Sequence, residues 1–131
     1  MKKIIILAGI FFTVLCTSCV QETHLKTVTF KVDMNGVSAI ENVGLKGNFT
    51  NPSWKQIIPL TDENNDGIYE ATLSQKTAVS AIQFKFVNQG QYELKDAPNR
   101  TLQFEYKPQK VTYEATFNDA NGKTITNESL K

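Results

Sequence analysis

Cysteine and histidine are scarce in this chain: two Cys and one His in 131 residues. They leave too few ligands for a His/Cys zinc site and little for Cys–His or Ser–His catalysis. An excess of one charge is also lacking. Fourteen Lys and Arg face 13 Asp and Glu, a net charge of +1. That balance excludes a strongly basic nucleic-acid binder, and the basic residues do not interleave with aromatics as a nucleic-acid groove requires. There is no Gly-rich phosphate loop, internal repeat or low-complexity tract. The carboxylates are scattered, with no pair that can be argued to flank a scissile bond as in a glycosidase. Together these absences point away from an enzyme and from any cofactor. What is present is an ordinary apolar share of 40% and a length suited to one domain.

The longest apolar run, residues 4–15, follows Met1-Lys2-Lys3. As a helix it would span roughly 18 Å, against roughly 30 Å for a bilayer core. It therefore reads as the core of a signal peptide, not a membrane span. It leads into Leu15-Cys16-Thr17-Ser18-Cys19. A small residue directly before a Cys resembles the bacterial lipobox, which implies cleavage after Ser18 and lipidation of Cys19. The alternative is an ordinary secretory signal with two incidental cysteines. The expected organisation is a lipoprotein signal peptide over 1–18, a tether over 19–26, a β-sandwich over 27–118 and a polar tail over 119–131. The mature chain would have 113 residues, 12 basic against 13 acidic, and no cysteine beyond Cys19. Acyl chains on that cysteine make the anchor durable, since each buried methylene contributes about 0.8 kcal/mol. The expected location is the bacterial cell envelope, with the outer membrane ranked ahead of the inner.

The mature part reads as all-β. Residues 27–34 alternate, with Val28, Phe30, Val32 and Met34 on one face and Thr27, Thr29, Lys31 and Asp33 on the other. Further strands are expected over 43–48, 57–60, 68–73, 82–86, 91–94, 101–106 and 111–117. Pro59 marks 57–60 as an irregular edge. Strands separated by Gly, Pro, Asn and Asp clusters argue for a sandwich or barrel. No segment keeps helical apolar spacing. Between the third and fourth strands, Asp62-Glu63-Asn64-Asn65-Asp66-Gly67 reads as a hairpin turn, because Gly accepts positive φ. Asp62, Asn64 and Asp66 also match half of a calcium loop. Leu73, however, stands where an EF-hand needs a bidentate Glu, so calcium is only a weak alternative to no metal.

Three segments then carry a resemblance. They are Gly44-Leu45-Lys46-Gly47-Asn48-Phe49 running on to Trp54, Pro59-Leu60-Thr61 through Asp66-Gly67-Ile68-Tyr69-Glu70-Ala71, and Phe84-Lys85-Phe86-Val87 leading to Tyr92-Glu93 and Pro98-Asn99-Arg100. Their order and spacing over residues 27–106 resemble the starch-binding domains of carbohydrate-binding module family 20. They are also similar to the glycogen-binding modules of family 48. The resemblance implies an immunoglobulin-like antiparallel β-sandwich of about 7–8 strands that binds α-1,4-glucans without cleaving them.

The same resemblance nominates a site. Trp54 matches a stacking Trp; as the only Trp in the chain, it could instead cap one end of the core. Tyr92 stands where many relatives carry a second stacking Trp, or packs at a strand edge. Lys85, turned outward between Phe84 and Phe86, matches a ligand-binding Lys, or is a routine solvated lysine. Asn99 matches a hydroxyl-binding Asn, or is a turn residue bonding its own backbone. Glu93 is expected as a secondary contact, and Arg100 as a structural partner. The chemistry fits, since a flat aromatic covers the C–H face of a sugar and amide or charged groups bond its hydroxyl rim. The expected function is a non-catalytic carbohydrate-binding lipoprotein. Its partners would be α-glucan and the membrane, and in the envelope polysaccharide-handling proteins. The alternative is an envelope protein-interaction or structural module that has lost sugar binding.

Overall fold

The computed structural model describes residues 21–127. The expected signal peptide and Cys19 lie outside the described residues. Within them the chain forms nine strands: β1 His24–Asp33, β2 Gly44–Gly47, β3 Ile58–Pro59, β4 Ile68–Thr77, β5 Ala81–Asn88, β6 Gln91–Tyr92, β7 Arg100–Gln103, β8 Gln109–Thr116 and β9 Gly122–Asn127. They make two sheets. The first has the order β4-β1-β8-β9; the second has the order β3-β2-β5-β6, with β7 also paired to β5. The all-β sandwich holds. Two details differ from expectation: there is a ninth strand, and β1 and β8 run parallel, with Val28 opposite Val111.

The alternation in β1 explains the packing. Val28, Phe30 and Val32 are buried, and Met34 directly after the strand continues the stripe. The opposing sheet contributes Leu45, Ile82, Phe84, Phe86 and Leu102. Phe84 joins the layers, edge-on to Phe30 and to Tyr113 with both centroids 5.0 Å away. Each such side chain contributes roughly 1.5–3 kcal/mol by leaving water. The strands facing the core also fix what faces out. Lys46 and Lys85 project from the outer side of the second sheet, opposite each other across β2 and β5.

The sandwich exceeds its expected bounds at both ends. β1 begins at His24, inside the segment read as a tether, and β9 lies inside the segment read as a polar tail. β9 is polar apart from Ile125 and joins the sheet by antiparallel pairing with β8. Gly122 sits so close to Tyr113 that an added Cβ would fall 2.0 Å from the hydroxyl. The expected hairpin between the third and fourth strands also differs. β3 belongs to the second sheet and β4 to the first, so the turn crosses between layers. Only the Thr61–Glu70 bridge keeps hairpin pairing, with N–H to carbonyl distances of 3.1 and 2.9 Å. β3 ends at Pro59, which has no N–H to extend a ladder.

Candidate functional site

The residues nominated by sequence do not all meet the same fate. Trp54, Lys85, Tyr92 and Asn99 line one surface depression of about 400 Å³, joined by Lys95 and Asp96. Glu93 does not join them, although it follows Tyr92 directly.

Trp54 stands on the loop between β2 and β3. Its φ is +63°, a left-handed backbone that a bulky side chain rarely adopts and that needs support from its surroundings. That support is local. The Trp54 N–H donates to the Gly47 carbonyl at 2.8 Å and to the Thr50 hydroxyl at 3.2 Å. Gly47 itself is hemmed in by its neighbours, since a Cβ there would meet the Gln83 carbonyl and the Phe49 ring within 3 Å. The indole is half-buried. It meets Tyr92 edge to face, with centroids 6.4 Å apart and planes at 67°. The Tyr92 hydroxyl donates to the Trp54 carbonyl at 3.2 Å, which ties the two rings together. Tyr92 itself is 44% exposed.

Lys85 faces outward, but its ammonium is tethered. It donates to the carbonyls of Leu94 and Ala97, each at 2.9 Å. The lysine thereby shapes the loop 93–99 as well as lining the depression. Asn99 is exposed, and its amide lies 3.4 Å from the Gln83 side-chain oxygen. Sequence reasoning missed Lys46, whose ammonium lies 5.5 Å from the Tyr92 ring centroid. The alternation that buries Leu45 turns Lys46 outward, a signal present in the sequence. Lys95 and Asp96 were also missed. They sit on the loop, where Leu94 and Asp96 have φ of +52° and +64° and simple alternation fails.

Glu93 is corrected as a sugar contact. It is 1% exposed and bonds Arg100 twice, with Nε to Oε2 at 2.7 Å and Nη2 to Oε1 at 2.8 Å. It also accepts from the Phe86 and Asn118 N–H groups at 2.9 and 3.1 Å. Its oxygens are therefore spent inside the protein. Arg100 is the structural partner the sequence suggested. It adds bonds to the Thr116 and Asp119 carbonyls and packs over Phe86. Burial opposes its charge, but the hydrogen bonds to Glu93 and Tyr113 outweigh that and raise its pKa above the ordinary value.

The calcium alternative meets a similar objection. Asp62 accepts from the Asp66 and Gly67 N–H groups at 3.2 and 2.9 Å. Asp66 accepts from the Ile68 N–H at 2.9 Å. That bond chiefly, with Asn64 and Asp62 assisting, holds the Asp66 carboxyl below the usual carboxylate range. The carboxylates thus organise the turn. Among the described residues no group of three His, Cys, Asp or Glu side chains is placed to hold a metal.

No family model matches this chain, and no curated protein matches it. Solved structures do. The CBM25-1 of the beta/alpha-amylase from Paenibacillus polymyxa is 14% identical, with 82% of this chain and 97% of that one covered and a TM-score of 0.50. The Family 20 CBM of the maltotetraose-forming amylase from Pseudomonas saccharophila STB07 is 18% identical, covering 70% and 99%, with a TM-score of 0.49. At these identities the likeness is one of fold, and the CBM25-1 superposition carries it.

Proposed function

We propose that this chain is a non-catalytic carbohydrate-binding module for α-1,4-glucan, held at a bacterial cell envelope through lipidated Cys19. One observation carries the reading: Trp54, Lys85, Tyr92 and Asn99, dispersed over 46 positions of sequence, line a single exposed depression. Two aromatic rings offer apolar faces to sugar C–H groups, and an amide and an ammonium stand beside them for hydroxyls. The 67° between the ring planes suits a ligand that bends from one residue to the next. An α-1,4-linked chain curves in this way, whereas a flat ribbon would cover only one ring. The fold shared with the CBM25-1 module of an amylase supports the same reading.

The depression is lined by one carboxylate, Asp96, where a glycosidase uses two, so chemistry on the glucan would belong to other proteins of the envelope. A shallow single site binds weakly, and many copies on one membrane would compensate through avidity. Native electrophoresis through gels containing amylopectin or glycogen tests this reading. Retarded migration is expected. Unchanged migration, together with no calorimetric heat from maltoheptaose, would return the chain to the interaction-module reading.

A further inference from the structure

The charge around the aromatic pair is one-sided. Lys46 and Lys85 stand directly opposite each other across β2 and β5, on the same outer face. Like charges in that position repel, a cost that a bound counter-charge would relieve. Lys85 is held by two backbone carbonyls, neither of which carries a formal charge. Lys46 lies against the Tyr92 ring. Lys95 lines the same depression, where Asp96 is the single carboxylate among the lining residues. Of the ion pairs found among the described residues, Lys31–Glu70, Arg100–Glu93 and Lys107–Glu105, none involves these three lysines. The nearby Glu93 is committed to Arg100.

We propose that this site selects saccharides carrying an anionic substituent, a phosphate or a carboxylate, which Lys46 and Lys95 receive while Trp54 and Tyr92 hold the ring beside it. The inference rests on the sugar-binding reading and sharpens its substrate class. An ammonium is a compact point charge well suited to a phosphate oxygen. At an exposed rim its contribution is long-ranged at low salt and screened at high salt, with a Debye length of about 10 Å at 0.1 M. Neutral glucan would still bind through the rings, and the anion would add affinity on top.

The test is calorimetry on the full folded chain with three ligands: maltoheptaose, a phosphorylated maltoheptaose and a malto-oligosaccharide oxidised to carry uronate groups. Inorganic phosphate alone serves as the control for an anion without a sugar. Each titration is run at low and high salt. The expected result is a gain of about tenfold or more for an anionic ligand over the neutral one at low salt. That gain should shrink on adding salt, and in the Lys46→Gln/Lys95→Gln double variant the ratio of anionic to neutral affinity should fall to about one. Phosphate and uronate arms identify which anion is favoured. Equal affinity for neutral and anionic ligands would overturn the inference and leave the sugar reading intact. Failure of every oligosaccharide to bind would overturn both. The salt dependence of the unaltered protein keeps the test decisive if the double variant folds poorly.

Discussion

Tyr92 and Glu93 are adjacent in the chain and lie on opposite sides of it. Tyr92 is exposed beside Trp54, whereas Glu93 is sealed within the sandwich on Arg100. Asn99 and Arg100 repeat the division seven residues later: Asn99 is on the surface and Arg100 is buried. The segment between them is therefore two-layered. Its outer residues face the depression, and its inner residues anchor it to the β8–β9 end through Thr116, Asn118 and Asp119. β6 has only two residues, too few ladder bonds to fix such a loop. The buried ion pair does that instead, and Lys85 closes the loop from outside through the Leu94 and Ala97 carbonyls.

That division gives an ordered set of expectations. The largest concerns the inner layer. Glu93→Ala strands a buried guanidinium, and removing one partner of a buried pair costs about 3–5 kcal/mol. Chemical denaturation should read that loss, and glucan binding should fall with it. A loss under about 1 kcal/mol would mean the pair is not the anchor. Next comes the outer layer. Trp54→Ala should weaken binding by at least about tenfold, because it removes the larger apolar face. Its thermal midpoint should stay nearer the parent than that of the Glu93 variant. Retained affinity would put the sugar elsewhere.

A finer test is Tyr92→Phe, which keeps the ring and deletes the hydroxyl that ties it to the Trp54 carbonyl. One exposed hydrogen bond contributes about 0.5–1.5 kcal/mol, so calorimetry should show a loss of only a few-fold. The smallest effect concerns a turn that does not line the depression. The Asp66 carboxyl is held below its unfolded range by the Ile68 N–H. A lowered folded pKa contributes stability that is full above the unfolded pKa of about 3.9 and is lost as pH falls through the folded value. Asp66→Asn should therefore melt below the parent at neutral pH. The gap should close in acid, and a gap independent of pH would remove the charge from the account. Added calcium should leave both melting points unchanged.

Much of this was legible in the sequence, for reasons visible in particular residues. Period-2 alternation marked β1 and β5 because both are half-buried, and it turned Lys85 outward. β9 escaped because its contribution to the sandwich is backbone pairing with β8, and Gly-Lys-Thr-Ile-Thr-Asn presents only one apolar residue. Glu93 was misread because it was taken from a motif. Alternation from an outward Tyr92 would have turned it inward, towards an Arg that only the fold brings near. Lys95 and Asp96 had no local signal, since the positive φ at Leu94 and Asp96 breaks the strand period. The turn at 62–67 gave its chemistry correctly and its topology wrongly, because Asp-Gly specifies a reversal but not which sheet each arm joins.

Trp54 is the sole tryptophan, so its fluorescence reports this site and nothing else. A titration with maltoheptaose should change its emission saturably, and the change should disappear in the Tyr92→Ala variant with the fold retained. An emission spectrum unmoved by millimolar ligand, of the order at which weak single-site binding of about −4 kcal/mol becomes visible, would contradict the account.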